Sequence, residues 1–227
     1  MRTTVNLYRT AAPELQTAVW KGDLQSITTA LVNGADPNAL AAYGDPMLVV
    51  ASSRGHLAIV KALLAYGAAP NFAVQNGPAL LEAVRHGHSH VAEALLEAGA
   101  AFGWRDAEQA ALYNRIGLLE IFLRGVPVNQ RGANGDTLLM SAAFGGHIEA
   151  TQALVDAGAD VNASNGNGWT ALLAAASNGK SGVVGLLVRA GANPKAADKS
   201  GDTPLKMAAQ EGHTEIAAIL KAAGAHK

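Results

Sequence analysis

The sequence predicts an all-α solenoid of about seven stacked helical hairpins, repeated at a nearly constant period. Two glycine series in register and a composition rich in Ala and Leu carry that expectation. Glycines opening Gly-Ala-Asp-like segments stand at Gly34, Gly67, Gly99, Gly125, Gly158, Gly191 and Gly224, in steps of 33, 32, 26, 33, 33 and 33. A second series, mostly Gly-His, stands at Gly22, Gly55, Gly87, Gly146, Gly179 and Gly212, with Asn114 in the remaining slot. Each glycine of the second series precedes the next of the first by the same interval, and Asn114 precedes Gly125 by one place fewer. Recurrence at a fixed period of this length is the mark of repeat architecture. Hydrophobic residues make up 49% of the 227-residue chain, while Phe, Trp and Tyr number 4, 3 and 4. Ala and Leu are strong helix formers, and the strand-favouring aromatics are scarce.

Each punctuation mark has a mechanical meaning. Pro46 to Arg54 reads as a short helix with Leu48, Ala51 and Ser52 on one face, and Leu57 to Leu64 as a second, more apolar helix. The glycine between them permits a tight αα turn, and the glycine after the second suits a left-handed C-cap. Segments such as Asp160 to Ala163 and Gly168 to Ala171 read as an extended arm, a turn and a threonine able to cap the next helix.

These residues resemble the ankyrin-repeat family over almost the whole chain. Gly201-Asp202-Thr203-Pro204-Leu205-Lys206-Met207-Ala208-Ala209 follows the family's Thr-Pro-Leu-His-x-Ala pattern with Lys206 in the His place, and Gly158-Ala159-Asp160-Val161-Asn162 matches its terminal loop. The resemblance implies short β-hairpin fingers at right angles to the helices and a concave face. After an N-terminal segment, 1–12, the repeats are 13–38, 39–71, 72–103, 104–129, 130–162, 163–195 and 196–227, taken as one solenoid domain. The first lacks a finger. The fourth is shortened, having lost the Thr-Pro-Leu element and about six residues, which leaves Trp104-Arg105-Asp106-Ala107-Glu108-Gln109 where a finger should be.

Charge and motifs narrow the function. With 17 basic and 18 acidic residues and no basic block, the chain lacks the stripe a nucleic-acid binder needs, so no nucleic-acid partner is expected. No apolar run is long enough for a bilayer, so no membrane partner is expected and a cytoplasmic location is favoured. There is no cysteine for a disulfide or thiolate metal site. His56, His88, His147 and His213 share one slot after the inter-helix glycine, which points to a repeated structural bond rather than to chemistry. Arg85-His86-Gly87-His88-Ser89-His90 offers three imidazoles, but a glycine turn divides them and no further ligand stands nearby. Neither a metal nor a cofactor is therefore expected. No nucleophile elbow or phosphate loop appears, and Gly166-Asn167-Gly168 reads as a plain turn, so no catalytic residue is assigned.

The resemblance places binding on the finger tips and on the exposed ends of the first helices. Candidate partner-binding residues by register are Trp20, Lys21, Tyr43, Arg54, Arg85, His86, Trp104, Tyr113, Phe144 and Trp169. Val74 and Gln75 are further finger positions. Aromatic residues are few, yet they gather where the core has no need of them, and exposed Trp, Tyr and Arg dominate interface energetics. Phe72, Phe102 and Phe122 fall in loop or second-helix slots and read as packing. The expected function is a monomeric scaffold for a protein partner. The alternative is an enzyme or ligand-binding protein with a pocket at repeat four, lined by Arg85, Trp104, Arg105 and Tyr113. The final helix, with Ile216 and Leu220 expected to be exposed, is only partly polar for an end cap.

Overall fold

The computed structural model describes residues 11–41, 44–73 and 77–225. Those residues form fourteen α-helices and no extended strand. Two compact units divide the chain, Met1–Phe102 and Gly103–Lys227. The first holds three hairpins: α1 (Pro13–Lys21) with α2 (Leu24–Val32), α3 (Met47–Ser53) with α4 (Leu57–Ala65), and α5 (Ala79–His86) with α6 (Ser89–Glu97). The second holds four: α7 (Trp104–Leu112) with α8 (Ile116–Phe122), α9 (Leu138–Gly145) with α10 (Ile148–Asp156), α11 (Ala171–Ser177) with α12 (Ser181–Arg189), and α13 (Pro204–Gln210) with α14 (Thr214–Ala222). Within each unit the first helices pack in one row and the second helices in another. Helices of seven to nine residues are too short to persist alone in water, so this row packing is what holds them. Among the described residues no helix is long and apolar enough to cross a membrane.

Local chemistry sets the ends of the helices. Thr137, Thr170 and Thr203 cap α9, α11 and α13, each hydroxyl accepting from the backbone N–H three residues on, at 3.2–3.3 Å. Such caps are worth about 1 kcal/mol each. The inter-helix slot does require a left-handed residue: Gly55 lies at φ +74°, and Asn114 at φ +56° is the one non-glycine residue in that region among those described. Asn tolerates the conformation, and here it also works across repeats. Its Oδ1 accepts from Ala150 N–H and its Nδ2 donates to Glu149, both at 3.3 Å. Asn114→Ala is expected to lower unfolding free energy by about 1 kcal/mol. Asn114→Gly, which keeps the backbone and loses only the bonds, should lower it by less. Urea titration of both variants checks the order.

A second set of bonds staples successive repeats. Asn38, Asn71, Asn129 and Asn162 each donate to the carbonyl of the next repeat's terminal glycine (Gly67, Gly99, Gly158 and Gly191) at 3.0–3.3 Å. Each also accepts an N–H two residues beyond that glycine, from Ala69, Ala101, Asp160 and Asn193. The slot lies four residues after the terminal glycine, and at the end of repeat three it holds Gly103, which is already the N-cap of α7.

Three expectations need correction. Ile216 and Leu220 are 1% and 0% exposed rather than open, because α14 packs against both α13 and α12. Among the described residues the fingers hold isolated bridges, Leu40 with Pro46 and Ser164 with Thr170, rather than paired strands. Phe122 is buried as expected, but Phe102 remains 38% exposed at the end of its loop.

Candidate functional site

The first helices turn one face inward to the core and leave another open beside the loops. The open positions follow a helical row. Residues two, five and six places before each inter-helix glycine lie on one side of the helix, because i and i+3 or i+4 are neighbours on its surface. In the first unit this row and its loops form a groove of about 370 Å³ lined by Trp20, Val49, Val50, Asp45, Glu82 and His86, among others. In the second, a groove of about 270 Å³ is lined by Glu108 and Leu112 of α7, Met140 and Phe144 of α9, and Asp136 and Trp169 from the loops.

The first groove carries its own cations. Trp20 is 55% exposed, and the Arg54 guanidinium carbon lies 3.2 Å from the centroid of its ring, a close cation–π contact. Glu82 is buried and receives Arg85 at 2.9 Å and His86 at 3.4 Å. Lys21 is exposed at the end of α1. Tyr43, Val74 and Gln75 lie outside the described residues.

The second groove is acidic and aromatic. Glu108 is half-buried, and burial pushes its carboxyl above the ordinary range; the nearby Asp136 charge pushes the same way, while Arg105 opposes both. Asp136 accepts from the neutral Asn165 amide at 2.6 Å. Beneath, Asp106 is almost fully buried, and burial likewise raises its carboxyl above the usual value. Its Oδ2 accepts from Gly103 N–H at 2.9 Å, which holds the start of α7. Phe144 is 53% exposed and Tyr113 40%.

Trp104 is engaged within the chain. Its indole N–H donates to Gln130 carbonyl at 3.1 Å, and its ring covers Gly132, so that a Cβ placed there would lie 2.7 Å from Cζ3. Arg105 is exposed, and Arg85 is held on Glu82 within the first unit. The Gly166-Asn167-Gly168 turn is built by Asn165, whose Oδ1 accepts from Asn167 and Trp169 N–H at 2.9 and 3.0 Å.

Three of the four histidines that share the slot bond backbone. His56, His88 and His147 place Nε2 against the carbonyls of Trp20, Ser53 and Leu112, at 3.4, 3.1 and 2.8 Å. His86 turns to Glu82, His88 to Ser53 and His90 to Glu93, so the three imidazoles of the His-rich segment point to separate partners. No cluster of three or more His, Asp or Glu able to hold a metal occurs among the described residues.

The groove-lining carboxylates Glu82 and Glu108, five and six places before the inter-helix glycine or its Asn114 equivalent, were not singled out from sequence. Extending the register one helical turn back from Arg85 and Leu112 would have found them.

Comparison with known proteins agrees with this geometry. The family model described as ankyrin repeats (3 copies) matches residues 15–106, 108–198 and 159–227. The crystal structure of the human ASB11 ankyrin repeat domain is similar with a TM-score of 0.85 and 26% identity, covering 96% of this chain and 100% of that one. Over 55 residues the chain is 47% identical to Regulatory protein SWI6 of Kluyveromyces lactis, a stretch covering 24% of this chain and 6% of that protein's length.

Proposed function

Because the chain belongs to the ankyrin-repeat family, whose repeats generally serve as protein–protein interaction modules, we propose that it holds a protein partner on the open face of the first helices in each unit and on the adjoining loops. One observation carries this reading. Trp20 and Phe144, 55% and 53% exposed, line the two grooves together with the half-buried Trp169, and Tyr113, 40% exposed, caps the end of α7. Large rings left in water are a standing cost that burial against a partner relieves. His86 lines the first groove, Arg54 and Arg85 hold its Trp20 and Glu82, and Lys21 and Tyr43 belong to the same register. Both grooves are small, at or below the lower end of the range for small-molecule sites, about 300–1,000 Å³. Flat recognition of a protein surface suits them better than enclosure of a substrate.

The test is affinity capture from the native cell with the wild-type chain and with a Trp20→Ala/Tyr113→Ala/Phe144→Ala/Trp169→Ala variant. The partner's affinity should fall about 100-fold, the scale expected when several aromatic anchors are lost together. Helical circular dichroism should be unchanged. A specific partner held equally by both proteins would place binding on another face.

A further inference from the structure

We propose that the groove bordered by α7, α9 and α11 receives a lysine or arginine side chain of the protein partner, its charge meeting Glu108 and Asp136 and its stem lying against Phe144 and Trp169. The inference rests on the reading of the first-helix face as the partner surface and names the chemistry of that partner.

Three observations lead there. First, the groove holds two carboxylates, and no lysine, arginine or histidine is among its lining residues. Glu108 is already disfavoured in its charged form by burial and by Asp136, so an arriving cation relieves a repulsion as well as forming a pair. Second, the remaining surface is suited to the stem of such a residue. Leu112 and Met140 are apolar, and Phe144 and Trp169 supply ring faces. Lysine and arginine bury their methylenes on such surfaces while the head reaches a polar site, and ring faces attract the cation itself.

Third, the chain shows what this combination takes when the cation is supplied internally. In the first unit Arg54 covers Trp20, and Arg85 with His86 engages Glu82. Arg54 stands immediately before the inter-helix glycine of the repeat after Trp20; the equivalent residue in the repeat after Phe144 is Asn178. Arg85 and His86 stand two and one places before Gly87; beside Glu108 the equivalent residues are Leu112 and Tyr113. Similar acidic and aromatic groups thus recur in the second unit with the cation positions left neutral. Arg105 acts on Glu108 from outside the groove lining, and Arg131 is committed to the carbonyls of Gly135 and Ser164 at 3.1 and 2.6 Å.

The experiment selects binders to the full chain from a phage-displayed library of random dodecapeptides. The strongest peptide is then titrated against the wild type, the near-isosteric Glu108→Gln/Asp136→Asn variant, and Asn178→Arg, which supplies internally the cation that Arg54 supplies in the first unit. Enriched peptides should share a lysine or arginine among apolar residues. Binding should weaken about tenfold in both variants and on replacing the peptide's basic residue by norleucine. Urea midpoints of the variants confirm that they are folded.

Peptides that need Phe144 and Trp169 but carry no basic residue, or that ignore the loss of both carboxylates, overturn the cation assignment and leave the partner face standing. No enrichment, or binding indifferent to the aromatic residues, overturns both. Sedimentation of the chain alone provides the remaining outcome: a dimer dissolved by Phe144→Ala would assign the groove to a second copy and overturn the proposal.

Discussion

Gly55→Ala is expected to lower unfolding free energy by about 3 kcal/mol, whereas Gly34→Ala, at an equivalent backbone conformation, lowers it by about 1 kcal/mol. Both glycines follow a helix end in the left-handed region, at φ +74° and +86°. An added methyl group meets the same conformational strain at each. What differs is the space. Around Gly34 nothing lies within 4 Å of a Cβ, while at Gly55 the Cβ would meet Nδ1, Cε1 and Cγ of His88 at 2.5, 2.7 and 2.9 Å. Contact with Cγ means that the whole ring must move, and moving it breaks the bond from the imidazole to Ser53 carbonyl.

The repeat lock is therefore a glycine without a Cβ and a histidine from the next repeat that occupies its place. The same pairing joins Gly22 to His56 and Gly179 to His213, while at Gly146 the aliphatic stem of Lys180 takes the ring's role. A double-mutant cycle isolates it. In the His88→Ala background the added methyl group at position 55 should cost only about as much as at position 34, because the clash is gone. Equal losses at positions 55 and 34 in the wild-type background, read from urea titration, would falsify the lock.

That lock was half legible in the sequence. The spacing of Gly55 and His56, repeated along the chain, marked a structural role, but not that each histidine serves the glycine of the repeat before it. Such a partner lies one full repeat away, and periodicity gives the same score to every interval of that length. The asparagine staples at Asn38, Asn71, Asn129 and Asn162 escaped for a different reason. Asparagine in a loop already has a local explanation as a turn former. The burial of Ile216 and Leu220 was misjudged because an apolar stripe on a terminal helix reads alike whether it faces inward or outward. In the second groove, Glu108 and Asp136 belong to successive repeats, the first of which is the one of irregular length. The loss in repeat four breaks the register there, so a repeat-based alignment does not bring them together.

Trp104→Ala is expected to destabilise the second unit by about 2 kcal/mol, below the range for a fully buried tryptophan because this one is half-exposed. The loops of this unit are bonded in series. Lys199 N–H donates to Asn167 carbonyl at 2.9 Å, and Gly166 N–H donates to Asn134 carbonyl at 3.1 Å. Loop 130–136 has such a neighbour on one side only, since repeat four enters α7 directly from Gly103. On its other side the Trp104 ring lies on Gly132 and its N–H bonds Gln130. A single aromatic residue thus stands in for the finger that the short repeat lacks. Removing it should raise amide hydrogen exchange most strongly across residues 130–136, and more weakly in the loops that follow. Trp104→Phe, which restores most of the packing and not the hydrogen bond, should recover about half of the loss. The aromatic groove rests on the same loop through Asp136, so peptide affinity should fall in Trp104→Ala even though the ring itself does not line the groove. If exchange in 130–136 stayed at the wild-type rate while peptide affinity fell, Trp104 would be touching the partner directly and the finger-replacing role would be lost.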